Sequence, residues 1–432
     1  MEKLSRQKLI LFAAAALLIS IKADGRFPLP ASLSESNFQM LLLPYTLLFI
    51  CVVVLFFQKR EFLRLPSFSL IRLASWICIA FLTMILFIFF WQAKKYSGFG
   101  YHLNRPILIS GYFAGLIALL FIAIRDGSAK QILISVSVIF LLFYAFSIFW
   151  FPLAAERSDM LPLIQAADER FFNGNQPYIV YSLPHLVPLT YLPGMWMAYL
   201  PSVAFHFDPR WIHAFAILIS MWMIFAATRD EQKEAAASFC SVFLMTPYLL
   251  YRHEIYLGIL WLLLGVIYYF EGKKRYIWSA VLIGVSAATS QFAWVVAPFY
   301  FLGIMQRSGK KKAALAVIVC AIVIAGILLP FVIDRPANFY DGVFAHWSHT
   351  FNATTLNLSY FFTRLFSTGA MKYFQAAAVA FIFFVAWKGV PERKYEWMTY
   401  ALLMFILLNP VIWVYFYLTL FVLMIAAGTQ SL

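Results

Sequence analysis

The sequence predicts an all-α, polytopic membrane protein, and three observations carry that expectation. Apolar runs of about 20 residues, the length that crosses a bilayer as a helix, recur from one end of the chain to the other. Of the 432 residues, 63% are hydrophobic and 12% are charged, against roughly 25% charged in a soluble domain. The runs are continuous, whereas the strands of an outer-membrane barrel alternate apolar and polar residues.

The segments follow in order. The first run, Leu9 to Ile21, comes after Lys3, Arg6 and Lys8. It has the outline of a signal peptide but no evident small-residue cleavage site, and it reads as a retained first helix. Spans are expected at 9–22, 39–57, 73–91, 107–124 and 131–151. Four apolar pieces come next, at 186–205, 211–228, 237–251 and 255–270, although the loop charges on either side require an odd number of crossings. Pro184, Pro188, Pro193 and Pro201, all within 183–205, mark the first of these and its approach as a broken or re-entrant segment. The remaining pieces are 277–290, 292–305, 313–333, 373–387, 397–409 and 411–428. The expected total is roughly 12 to 14 transmembrane helices. No linker, soluble domain, low-complexity tract or repeated half is visible.

The net charge of +14 fits this architecture better than a nucleic-acid partner. Basic residues sit in small groups between the apolar runs, as in cytoplasmic loops. The N-terminus and the segments 58–72, 125–130, 271–276, 306–312 and 388–396 hold 19 Lys and Arg, against 8 in the opposite loops 22–38, 92–106, 152–183 and 334–358. The bias places the N-terminus in the cytoplasm and the 152–183 loop outside. Cys51, Cys78, Cys240 and Cys320 all lie in apolar segments without a CxxC pair, and read as small buried hydrophobes.

Polar chemistry collects on the outside. Four patches stand out: "ERSDM" at 156–160, "YRHEIY" at 251–256, "TSQFAW" at 289–294 and "DRPANFYDGVFAHWSHTFNATTLN" at 334–357. After Asp159, the stretch from Leu161 to Phe171 reads as an amphipathic helix with Leu161, Ile164, Ala167 and Phe171 on one face. Asp168, Glu169 and Arg170 are expected on its solvated side, and Asn173-Gly174-Asn175 ends it. Asp159 by itself reads equally as a loop acid or a helix N-cap. Glu254, beside Arg252 and His253, lies between apolar pieces, where acids are costly and therefore candidates for function; an Arg252–Glu254 surface pair is the plainer reading. His346 and His349 share a helical spacing, but no third ligand stands at a fixed distance and no HExxH is present, so no metal cofactor is expected.

Several of these motifs, in this order, resemble the GT-C superfamily, membrane glycosyltransferases that use polyprenyl-phosphate sugars. The likeness rests on a Ser-Asp pair opening the first large outside loop and an amphipathic helix after it. "FFNGNQPY" follows, then a proline-rich entry to the next helix, "LPHLVPLTYLPG". "YRHEIYLGILWLLL" looks like the second polar helix start and "GVSAATSQFAWVVAPFYF" like the helix that commonly carries a phosphate-contacting Lys. Ser290 or Gln291 stands in its place here. "NPVIWVYFYLTL" is similar to the Tyr-rich last helix. The resemblance covers about 150–430; it implies an N-terminal addition over 1–150 and a GT-C-like module over 151–432, with the external catalytic loop at 152–183.

What the resemblance implies is an inverting transferase with Asp159 as general base; Glu254, an acid near membrane depth, is named beside it as a catalytic candidate. Arg252, His253, Gln291 and Arg335 are then the donor-phosphate contacts, and Arg170, Asn175, Tyr178 and His185 the substrate-loop residues. The partners would be a polyprenyl-phosphate sugar, a lipid- or polymer-linked glycan acceptor and membrane lipids. The location would be a bacterial inner membrane, with no nucleic acid involved. A polyprenyl phosphate is already a good leaving group, so one base suffices where glycoside hydrolysis needs two carboxylates. Two other classes remain open. An O-antigen-type polymerase or ligase would rely on Arg and His of the outside loops, "HWSHTF" among them. A lipid or solute transporter would carry ionisable residues at the midplane of its helices, and here the helix interiors are nearly free of charge.

Overall fold

A computed structural model describes residues 2–21, 35–58, 69–96, 104–155, 158–183, 185–251, 255–345, 352–353, 358–389 and 393–430. The chain is mostly helical. The first helices are α1 (Glu2–Ile21), α2 (Glu35–Phe56), α3 (Leu70–Tyr96), α4 (Arg105–Arg125), α5 (Ala129–Trp150) and α6 (Met160–Phe172). A hairpin of β1 (Val180–Leu183) and β2 (His185–Pro188) precedes α7 (Pro193–Met197), α8 (Leu200–Ala204), α9 (Arg210–Ala227), α10 (Lys233–Leu244) and α11 (Pro247–Tyr251). Next come α12 (Gly258–Gly272), α13 (Tyr276–Thr289), α14 (Gln291–Ser308), α15 (Lys310–Asp334) and α16 (Pro336–Tyr340). The chain ends with β3 (Asn352–Ala353), α17 (Ser359–Leu365), α18 (Met371–Trp387), α19 (Lys394–Leu407), β4 (Val411–Ile412) and α20 (Leu418–Gln430).

Among the described residues, five stretches are long and apolar enough to cross a membrane: Leu70–Phe90, Arg105–Arg125, Ala129–Trp150, Arg210–Ala227 and Lys310–Asp334. Pro44–Phe56, Gly258–Gly272, Tyr276–Thr289, Met371–Trp387 and Val414–Gln430 are shorter apolar helices. The 186–205 piece is no crossing: it holds β2 and two five-residue helices, α7 and α8, each with a proline in its first turn. Proline lacks the N–H and fixes φ, so it opens a helix readily and does not extend one backwards.

The chain divides into two compact units. The first comprises Met1–Pro152, Thr228–His253 and Gly428–Leu432, and the second Leu153–Ala227 and Glu254–Ala427. The first unit thus takes in α10 and α11, which sequence alone grouped with the C-terminal module. The reason is packing: α10 lies against α3, α5 and α1, and α11 against α3, α1 and α5. Its turns are well specified. Asp126 ends α4 in the left-handed region at φ 53°, and Ser128 and Gln131 form a reciprocal capping box at the start of α5. Cys78 and Cys240 are buried as expected, whereas Cys51 is on the exposed side of α2. An apolar helix facing lipid has no need to bury a small apolar thiol.

In the second unit α12 packs along α9 because small residues recur seven apart. A Cβ at Gly265 would stand 2.6 Å from the Ser220 hydroxyl, and Gly258 donates its N–H to His213 Nδ1 at 3.1 Å. Helices α12 to α15 run alternately between two ends. One end gathers the basic segments 273–275 and 310–312, and the other carries the 152–183 loop. At the basic end, Glu271 is buried and accepts from three groups: the Lys394 ammonium, Arg307 Nη1 at 3.0 Å and the Tyr395 hydroxyl at 2.8 Å. The Lys394 ammonium also lies 5.4 Å from the Tyr300 ring centre and 4.9 Å from that of Tyr395. One buried carboxylate therefore ties α12, α14 and α19 together.

The orientation expected from the Lys and Arg count is open to direct test. Asn175 and Lys310 are both exposed, on opposite ends of the second unit. A membrane-impermeant thiol reagent added outside intact cells should label an Asn175→Cys protein and leave Lys310→Cys untouched. The reverse pattern would invert the topology.

Candidate active site

The site is built on α6. Its first residue follows Asp159, which occupies the N-cap position yet makes no side-chain cap hydrogen bond. The carboxylate is therefore left to other partners. Its side chain is 36% exposed, and Oδ2 lies 3.6 Å from Nε2 of His185, the first residue of β2. Two residues named from sequence, 26 positions apart in the chain, thus meet. The charge of Asp159 is also felt at the hydroxyls of Tyr191 and Tyr256. Burial is the main cause holding both of these protonated, with neighbouring charges adding to it.

The helix itself is amphipathic as expected: Leu161, Leu163, Ile164 and Ala167 are buried, and Glu169 is exposed. One expectation is corrected. Asp168 is not on the solvated side; it is fully buried, and among the described residues neither carboxylate oxygen has a hydrogen-bond partner. Positions 161, 164, 168 and 171 are spaced by three, four and three, so helical geometry places Asp168 on the apolar stripe. Grouping it by charge with Glu169 and Arg170 hid that periodicity. Burial, and then the charge of Glu169, push its carboxyl up to about 8.

The loop after α6 is held by its own side chains. Arg170 Nε donates to the Gln176 carbonyl at 2.7 Å and closes the turn, in which Gly174 has φ +73°. Asn175 is exposed and donates to the Asn173 carbonyl at 3.2 Å. Tyr178 is buried, its hydroxyl donating to the Tyr191 carbonyl at 2.9 Å and accepting from Trp196 Nε1 at 3.3 Å. Of the four loop residues named from sequence, Arg170 and Tyr178 therefore shape the loop, while Asn175 and His185 present side chains to its surface.

Three further polar patches meet this loop. Gln176 Nε2 donates to Asp334 Oδ2 at 2.7 Å, and Asn338 Nδ2 donates to the Tyr178 carbonyl at 3.1 Å, so the end of α15 and all of α16 attach to it. Phe331, Trp196, Phe171 and Tyr178 form an edge-to-face and tilted cluster beneath. The α13–α14 junction arrives through α7. Ser290 caps α14 by accepting from the Phe292 N–H at 3.3 Å, and Trp294 stacks on Phe344. Gln291, half-buried, opens α14 at this junction, and Arg335 is exposed between α15 and α16. The third patch contributes Tyr256. It lies 4.5 Å ring to ring from Tyr191 and 5.7 Å from Tyr415, and its carbonyl accepts from the Tyr199 hydroxyl at 2.9 Å. Arg252, His253, Glu254, His346 and His349 lie outside the described residues, as do Glu156 and Arg157.

The sequence reading missed Asp168 and the tyrosines at 191, 199, 256 and 415. The tyrosines carried no spacing signal, because they come from three separate stretches of the chain.

Close approach between α7 and α13 holds the floor. A Cβ on Gly194 would stand 2.7 Å from the Thr289 hydroxyl and 2.9 Å from the Ala288 carbonyl. Backbone cannot give way there, so Gly194→Ala should lower stability by about 1–3 kcal/mol, read as a lower unfolding midpoint in detergent. A midpoint equal to the parent's would show the contact to be loose.

No protein-family profile, curated protein or solved structure matches this chain.

Proposed function

We propose that this chain is an inverting glycosyltransferase of the GT-C kind, with the full complement of roughly 12 to 14 spans that its apolar runs suggest. It would move a sugar from a polyprenyl-phosphate donor to a lipid- or polymer-linked acceptor. The reaction takes place at the extracytoplasmic face of a bacterial inner membrane, with the N-terminus in the cytoplasm. The observation that carries the reading is Asp159: a part-exposed carboxylate, free of any capping duty, set beside His185 on the loop where the polar patches meet.

The chemistry needs little more. The acceptor hydroxyl oxygen attacks the anomeric carbon as the bond from that carbon to the phosphate oxygen breaks. Asp159 takes the hydroxyl proton, and the polyprenyl phosphate leaves with the bonding pair. Attack from the face opposite the leaving group inverts the anomeric centre. A cation near the departing phosphate stabilises its growing charge, and Arg335, exposed at the end of α15, is a described residue able to offer two parallel donors. The donor's tail stays in the bilayer, where α15 and α18 present Ile322, Ile333, Phe381 and Phe384.

The test is transfer in membranes from a panel of polyprenyl-phosphate sugars to a lipid extract. One sugar moved, with loss of the free polyprenyl-phosphate sugar and inversion at its anomeric carbon, is expected. Membranes holding the folded protein that move none of them would overturn the reading.

A further inference from the structure

Asp168 has no part in the chemistry just described. It sits nine positions after Asp159 on the same helix. It is fully enclosed, and neither of its oxygens is satisfied among the described residues. A carboxylate left in that state is one of the costliest groups a fold can bury, whereas a neutral carboxylic acid costs far less. Among the described residues, the elements packed on α6 bring no compensating charge. Helix α6 packs on α8, α7 and β1. Helix α7 has no titratable residue, α8 brings Tyr199 at its start, and β1 brings Tyr181. The Tyr181 hydroxyl is committed to the Pro177 carbonyl at 2.6 Å and that of Tyr199 to the Tyr256 carbonyl. From α15, Phe331 meets Phe171, and Asp334 is bonded to Gln176. On α6 itself, Glu169 repels a second negative charge, and Arg170 is held by the Gln176 carbonyl.

We infer that Asp168 is a proton-operated latch: protonated, it lets α6 dock on α7 and α8, and its ionisation releases the helix that carries Asp159 at its head. The latch follows from the packing of α6; its consequence for transfer rests on the function proposed above.

The sign of the effect is set by linkage. Docked α6 keeps the proton up to about pH 8, whereas a free Asp side chain gives it up near pH 4. Between those limits the docked form holds the extra proton, so undocking rises about tenfold for each pH unit and levels off above the upper limit.

Hydrogen exchange of the full-length protein in nanodiscs, measured from pH 5 to 9 and corrected for intrinsic exchange, reads this without any transfer assay. Protection of 160–172 should fall about tenfold per pH unit up to pH 8 in the parent protein. It should be flat with pH in Asp168→Asn and higher than the parent's at pH 8. Protection of that helix that does not change with pH in the parent, or the same pH dependence in Asp168→Asn, would overturn the latch. Should the asparagine protein fail to accumulate, Asp168→Leu takes its place with the same expectation, and the parent series alone decides whether a latch exists. Since transfer is not the readout, a failed transfer assay leaves this result standing, and the reverse also holds.

Discussion

Asp159→Asn should lower transfer by about 10²–10⁴-fold, the usual worth of a general base, while the protein accumulates and unfolds as the parent does. Three features of the site support this separation of activity from folding. The side chain is 36% exposed, so no buried group is left unsatisfied by the change. It makes no cap hydrogen bond to α6, so the helix loses no N-terminal partner. Asparagine also keeps the size and shape of the aspartate while removing its ability to accept a proton. The fall should appear in kcat with KM nearly unchanged, since the group acts on a proton that moves only in the transition state. His185 remains in place beside position 159, so a small residual rate is expected. Transfer at the parental rate would remove Asp159 from the mechanism. A protein that no longer folds would show instead that the residue is structural.

The second large effect is on stability, at the opposite end of the same unit. Glu271→Gln keeps the shape of the side chain but leaves the Lys394 ammonium and Arg307 facing a neutral amide. Glu271 and Lys394 have side chains 6% and 5% exposed, so water cannot replace the lost charge. Removing one partner of a buried pair costs about 3–5 kcal/mol. The expected result is a steep drop in the unfolding midpoint, or a protein that fails to accumulate. The double replacement Glu271→Met with Lys394→Met should recover most of the loss, because it removes both buried charges together. A single variant as stable as the parent would mean that Lys394 finds another partner.

These two residues show how differently the chain can be read. The setting of Asp159 was legible: an acid opening the first large polar loop, followed by an amphipathic stripe and a turn. Glu271 was not. It stands in "YYFEGKKR", where the adjacent basic residues suggest an ordinary surface pair. Its true partners are 36 and 123 positions away, and no local pattern encodes them. Asp168 lies between these cases. The three-four-three spacing of Leu161, Ile164, Asp168 and Phe171 puts it on the apolar stripe, while its charge groups it with Glu169 and Arg170. The meeting of the tyrosines around position 256 carried no signal, since they come from three stretches with no common spacing.

By itself the sequence determined what local composition and period can determine. Runs of apolar residues dictate helices of membrane length, prolines at 184, 188, 193 and 201 break the segment that contains them, and basic residues mark one set of loops. Those features follow from the solvent each segment needs and the hydrogen bonds its backbone must close. The tertiary structure alone decided which polar ends share a site. It set His185 against Asp159, hung the 152–183 loop from Asp334 and Asn338, moved α10 and α11 into the N-terminal unit and sealed Asp168 inside. Each of those depends on which helix faces pack together. Nearly every apolar face of such a chain is equally greasy, so small residues and a few long-range polar contacts choose among them.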